Sequence, residues 1–484
     1  MKTKLHSILG LLALLAGIHK AAAQGTTVYP VATNGSITQY SGGLATDGTN
    51  YLFVFSSGTT NCAQLVSSNG TLIGSPIVLS GGAAGMPPQL LVISGQTNYL
   101  VVWSDSSISS GVDIFGKFIS RSGAIVGSKF PLLQSVGSHG FQGIESLACD
   151  GTNFLVVWQD EKGFTGGSSP NASFGQLVTP SGALSGSEFQ VANVAWPLQA
   201  QGLAVAFGRT NYLAAWQSGS SGTTYATYGA FISPGGVEGS QFTISQTNSA
   251  GNNPDSVGFD GTNYLVTWNF ATNGIDPIDW RLHGRLVSPK GNFPGNELAL
   301  ANESTLICSL AFDGANYLLA WGYHTDTTNT DKNIHFRFFD RTINPIGPQF
   351  NVFSIQGTNA PLVPGLWNGV VFDGKRFAIA AILGTVTIGT DGQFQGVPSA
   401  QVYGAFIPAS TTPPQFSAGA SYASKQFTLS LAGTPGINYA IQMATNLVAA
   451  SWTSLVTNSP TNGTFTFTDP GATNRSRFYR AVKQ

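Results

Sequence analysis

The chain has 484 residues, of which 9 % are charged and 60 are glycine, and its formal net charge is −1. A charge this sparse, without any basic run, argues against nucleic-acid binding and against a coiled coil. With 42 % hydrophobic and 11 % aromatic residues the chain has apolar surface for a large core, which sets it apart from disordered sequences.

The first element is an address. Lys2 and Lys4 precede an apolar run from Ile8 to Ile18, and Ala21-Ala22-Ala23 leads to Gln24. This is the three-part pattern of a secretory signal peptide cleaved after Ala23. A membrane anchor needs about 20 apolar residues, which neither this run nor any later segment provides. The sequence therefore predicts a secreted or cell-surface product without a transmembrane segment. Residues 24 to 411 carry 13 basic and 21 acidic groups, and residues 412 to 484 carry five basic groups and one acid, Asp469. Cys62, Cys149 and Cys308 are odd in number and far apart. Lying in or beside apolar strand patterns, they are expected as buried inert thiols and form no disulfide framework.

One phrase, close to DGTNYLVVW, then occurs seven times. Its copies run from Asp47 to Phe55, Ser94 to Trp103, Asp150 to Trp158, Gly208 to Trp216, Asp260 to Trp268, Asp313 to Trp321 and Asp373 to Ala381. The aromatic at the fifth place falls at 51, 99, 154, 212, 264, 317 and 377, a period of about 54. Before each copy stands a short apolar run such as SLACD (146 to 150) or SLAFD (309 to 313), which meets a DG or GR turn suited to a tight hairpin. The YLVVW run is the second strand. A third strand follows a loop of variable length, as in DIFGKFIS (113 to 120) and QVYGAFIP (401 to 408). An SxxG turn leads to a fourth, as in GSKFPLL (127 to 133) and GSEFQVA (186 to 192).

Four short antiparallel strands repeated seven times predict an all-β, seven-bladed β-propeller over residues 24 to 411. The seventh unit ends at Ile407 without a fourth strand, whereas Thr27 to Gly35 has the form of one. The N-terminal strand is thus expected to complete the last blade and remove a free sheet edge. Pro408 to Gln415 reads as an extended linker. Beyond it, Gln426 to Ala432, Asn438 to Ala444, Trp452 to Thr457, Thr464 to Thr468 and Arg477 to Val482 are strand candidates of a small β-sandwich over residues 412 to 484. PGINYAIQMATNL, a following Trp, FTDPG and the terminal RFYRAV resemble the short C-terminal sandwich modules of secreted proteins from planctomycete- and verrucomicrobium-type bacteria. The seven units likewise resemble DGxNYLVVW-type repeats of exported bacterial proteins. These resemblances imply export and a surface or matrix setting, and no activity.

The DG turns could be misread as calcium ligands, but a lone Asp before Gly lacks the alternating oxygens of a calcium loop, and hairpin chemistry explains it. Trp103, Trp158, Trp216, Trp268 and Trp321 recur in register within strands and are expected between blades. The DG and SxxG turns share one rim, so function is expected on the variable loops of the other. Residues assigned there are Asp105, His139, Glu145, Asp160, Glu161, Lys162, Trp196, Asp255, Asp276, Asp279, His324, Asp326 and Trp367. Two readings follow. In the first the protein is a non-catalytic, monomeric binding or adhesion module for a glycan or surface protein, with Trp196, Trp367, His139 and His324 in contact with it. In the second it is a polysaccharide-acting enzyme resembling a glycoside hydrolase, with Asp105, Asp160, Glu161 and Asp326 as candidate acid and base. His324 with Asp326 and Asp331 reads as a solvated turn rather than an ion site, HExxH, CxxC and GxSxG are absent, and neither metal nor cofactor is expected.

Overall fold

The computed structural model describes residues 27–33, 39–58, 60–80, 89–105, 113–132, 142–160, 172–192, 199–219, 225–246, 251–271, 280–301, 305–323, 334–353, 362–364, 369–383, 387–388, 394–396, 401–410, 414–416, 421–423, 426–445, 451–460, 463–469 and 477–484. Alternation of apolar and small residues in these segments produces strands, and Gly-rich or Asp-containing turns separate them. The first sheet sets the pattern. Gln39–Thr46, Asn50–Ser57, Thr60–Ser67 and Leu72–Ser80 pair in chain order, each antiparallel to the next. Five further four-stranded sheets of the same order follow over residues 90–131, 142–192, 199–243, 251–299 and 305–351.

The seventh sheet is assembled differently. Leu362–Pro364 and Val370–Phe372 both pair with Arg376–Leu383, which pairs with Gln401–Pro408. The outer place beside Gln401–Pro408 is taken by the N-terminal strand Thr27–Ala32, antiparallel, with Tyr29 opposite Gly404.

The core lies between sheets, as one apolar layer for each neighbouring pair. Strand alternation explains why. In the first sheet Tyr51, Phe53 and Phe55 face the seventh sheet, packed with Ala378, Ala380 and Phe406. Leu52 and Val54 point the other way, into a cluster with Val92, Tyr99, Val101 and Trp103 of the second sheet. The same alternation carries the second sheet onto the third, and so on to the sixth and seventh. Four-stranded antiparallel sheets stacked face to face in chain order are the architecture of a β-propeller.

Third-strand glycines make slots for the rings of the outer strands. A Cβ built on Gly116 would fall 2.7 Å from the Phe130 ring of its own outer strand, and one on Gly175 would fall 2.8 Å from Phe189. In the seventh sheet the same slot at Gly404 is filled by Tyr29, 2.3 Å from such a Cβ. Phe130 and Phe189 also cover Gly182 and Gly236, the turn glycines of the next sheet, just as Tyr29 covers Gly70 of the first. The N-terminal strand therefore packs as an outer strand does elsewhere.

The C-terminal residues form two further small sheets. Gln426–Ala432 pairs with Gln415–Phe416, Ser421–Ala423 and Thr464–Asp469, and Tyr439–Ala444 pairs with Thr453–Asn458 and Phe478–Lys483. The start of the expected linker is not extended and solvated: Ala409 and Ser410 are buried. Ser410 is held by Asp313 of the sixth sheet.

Candidate functional site

Antiparallel order places the DG turns and the turns between third and fourth strands at one end of the sheets. The joins between second and third strands, and between sheets, leave from the other end. Most of those joins, with Glu161, Asp326, Trp196, Trp367, His139, His324, Lys162, Asp276 and Asp279, lie outside the described residues.

At the DG end the repeated aspartates are used as turn caps. Asp47 Oδ1 accepts the N–H groups of Thr49 and Asn50 at 2.8 and 2.7 Å. Asp150, Asp260, Asp313 and Asp373 do the same at their own turns. The following glycine takes a positive φ, 84° at Gly48 and 90° at Gly151, which completes the hairpin. At Asp373 the second carboxylate oxygen serves the next sheet. Tyr51 donates to Asp373 Oδ2, and the hydroxyls of Tyr99, Tyr212 and Tyr317 approach Asp47, Asp150 and Asp260. Burial, reinforced by these carboxylates, pushes the tyrosine hydroxyls above their ordinary range. Where the aspartate is replaced by glycine the ring slides over it. A Cβ on Gly95 would fall 2.4 Å from Phe154, and one on Gly208 2.2 Å from the Tyr264 hydroxyl, which donates instead to the Asn211 carbonyl at 2.6 Å.

At the loop end, two of the four candidate carboxylates are described. Asp105 closes the second strand of its sheet, opposite Asp113. It is 8 % exposed and takes a salt bridge from Lys129 at 3.2 Å, whose ammonium lies 3.9 Å from the centre of the Phe115 ring. Asp160 closes the corresponding strand of the third sheet, opposite Ala172, and is 1 % exposed. A general acid or base must reach a substrate proton, and both these groups are turned into their sheets. The sequence reading placed Asp105 and Asp160 on open loops; they are strand-end residues instead.

Glu145 and Asp255 also require correction. They stand not on loops but at bulges inside the first strands Gln142–Cys149 and Gly251–Phe259, where the register slips between Ile144 and Ser146 and between Pro254 and Ser256. A bulge puts one extra residue into the strand and re-aims its side chain. Each carboxylate reaches the first strand of the following sheet: Glu145 accepts the N–H of Leu203, and Asp255 that of Cys308. Beside this, the Ser146 hydroxyl accepts the Val205 N–H at 3.2 Å, and Ser309 accepts that of Val370 at 3.1 Å. Asn269 Nδ2 donates to Asp255 Oδ1 at 2.9 Å while its Oδ1 accepts the Thr305 hydroxyl at 2.9 Å. Burial raises the Glu145 carboxyl to about 8 and lifts Asp255 well above the carboxylate range, against the opposing N–H groups. The sequence signal was an acid followed by serine, in ESLACD and DSVGFD, at the same repeat position.

The five in-register tryptophans are fully buried between sheets, as the strand pattern predicts. Cys62 and Cys308 are buried and Cys149 is partly so, burial raises all three thiols, and none forms a disulfide. Among the described residues no three His, Cys, Asp or Glu side chains converge as a metal-binding group, and no helix is long and apolar enough to cross a membrane.

These features define an all-β protein of the propeller class. No protein family matches the chain, and no curated protein sequence matches it. Among solved structures it is similar to the WD40 domain of Neurospora crassa Pan2, with 10 % identity, a TM-score of 0.45, and coverage of 79 % of this chain and 95 % of that one. The Dos1 propeller gives 10 % identity and a TM-score of 0.43 over 80 % of this chain and 96 % of that one. A thermostable family-43 glycoside hydrolase gives 13 % identity and a TM-score of 0.36 over 56 % and 97 %.

Proposed function

We propose that this is an exported, non-catalytic binding protein: a seven-bladed propeller, closed by its N-terminal strand, whose variable-loop rim holds an extracellular glycan or surface protein. What supports this reading most is the way Asp105 and Asp160 are used, the first by Lys129 and its own sheet, the second by burial at a strand end. With these two carboxylates spent on the scaffold, this reading has the loops act by shape and stacking. Trp196 and Trp367 are the proposed platforms, since a sugar face stacks on an exposed flat ring. His139 and His324 supply polar contacts on the same rim. The signal-like N-terminus supports export.

The test is a polysaccharide screen of the protein lacking residues 1–23, with binding and released sugar scored in the same wells. Binding without release is expected, and the double variant Trp196→Ala/Trp367→Ala should weaken it by roughly tenfold or more. Unchanged binding would remove the two tryptophans from the site. Sugar release lost on Glu161→Gln or Asp326→Asn would replace this reading with that of a polysaccharide-acting enzyme.

A further inference from the structure

Between most neighbouring sheets, the following sheet supplies a ring from its second strand, set against the DG turn, and a turn glycine between its third and fourth strands, set against the preceding outer strand. The seventh sheet can supply neither to the sixth in that form. Its second strand carries Phe377, which has no hydroxyl for Asp313, and its outer strand comes from the N-terminus, so no turn joins third to fourth. Both places are nevertheless occupied. Ser410 donates its N–H at 2.6 Å, and its hydroxyl, to Asp313 Oδ2, and Asn316 Nδ2 donates to the Ser410 hydroxyl at 2.8 Å. Gly436, at φ 75°, sits on Phe350, where a Cβ would fall 2.6 Å from the ring. The corresponding distances are 2.8 Å for Gly70 on Tyr29 and 3.0 Å for Gly236 on Phe189.

We infer that the chain beyond the seventh sheet, from Ala409 through the C-terminal module, is a built-in partner of the sixth sheet, filling the two interface places that the seventh sheet leaves open. The fit extends beyond the two points. Leu431, Ile437 and Tyr439 are fully buried with Phe336, Phe338, Phe350 and Phe377. Thr434 donates its hydroxyl to the Ala409 carbonyl at 2.9 Å, and Lys483 donates to that of Ser410 at 2.8 Å. The approach is close enough that a Cβ on Gly347 would overlap the Gly436 carbonyl oxygen, 1.7 Å away. A module that only aided export or docking to a surface would need no such match to the repeat. Residues 24 to 408 are therefore not self-sufficient, whatever the loop rim binds.

The experiment is hydrogen exchange on the full-length chain carrying Gly436→Val, which drives a branched side chain into Phe350, or the milder Ile437→Ala, which trims a fully buried module side chain of the shared cluster. Exchange should accelerate roughly tenfold or more across both 305–351 and 376–408, while 90–192 keeps its protection. Ile437→Ala should act on the same segments with a smaller effect, and it decides the matter alone if Gly436→Val does not accumulate as folded protein. Loss of protection confined to 426–483, with the sixth and seventh sheets unchanged, would overturn the inference.

Discussion

Among the described residues, two that are not glycine stand in left-handed backbone at turn positions where most units carry glycine. Arg209, at φ 69°, replaces the glycine of a DG turn and is exposed. Ile343, at φ 58°, replaces the glycine of a third-to-fourth-strand turn but is 2 % exposed, in a cluster with Leu286 and Leu300, so its burial offsets its strain. Arg209 has no such burial, and Arg209→Gly should raise stability by about 1 kcal/mol, read from the urea midpoint at constant slope. Glu145 makes a prediction of opposite kind. A carboxyl whose ordinary value of 4.5 is raised to about 8 binds more protons folded than unfolded across that window. Its contribution to stability must therefore fall as pH rises from roughly 4.5 to 8, by at most ~1.4 kcal/mol per pH unit, and then level off. Glu145→Gln should flatten the dependence, leaving the part due to Asp255, which acts in the same direction. Urea midpoints at pH 5, 7 and 9 that fall equally in both proteins would place the Glu145 carboxyl in water.

Most strands could be read from the seven phrases because apolar alternation and turn chemistry agree at every unit. The bulges could not, because one extra residue breaks period two within a strand, and Glu145 and Asp255 then look like loop acids. Pairing between neighbouring units was also hidden, though the exchange of Asp for Gly95 in one unit and of Tyr for Phe154 in the next was present as a signal. The strand-end carboxylates Asp105 and Asp160 were found as acids at the right end of the sheet, but only packing reveals that Lys129 and burial claim them. The glycine slots make the outer strands testable. Gly175→Ala should cost about 1–3 kcal/mol, because the Phe189 ring that lies over both Gly175 and Gly236 must shift to admit the methyl group. Tyr29→Ala, which empties the Gly404 slot and uncovers Gly70, should cost about 3–5 kcal/mol, whereas an alanine at exposed Phe416 should be nearly neutral. Equal midpoints for the Tyr29 and Phe416 variants would mean that the N-terminal strand contributes little to the fold.

For the molecule as a whole, the seventh sheet bears on every other feature. Its two neighbours are joined to it by chain ends: the first sheet through Thr27–Ala32, the sixth through Ser410 and the C-terminal module. The propeller gains a long-range tie on each flank of its least regular unit, at the loop-closure cost that such distant contacts carry. The binding rim proposed above is then presented by a scaffold whose seams are both fastened, which suits a surface that holds a ligand without changing shape.

The ninth position of the repeat carries a further consequence. It is tryptophan in units two to six, but Phe55 in the first and Ala381 in the seventh. Each of these five buried indoles lies between its own sheet and the one before, so together they report five sheet boundaries, and none of the five stands at the two that the chain ends fasten. A protein opened only at those two seams would keep the emission colour of its buried indoles while losing hydrogen-exchange protection. In an unfolding titration, emission from these five indoles and exchange would part company if the flanks of the seventh sheet open first.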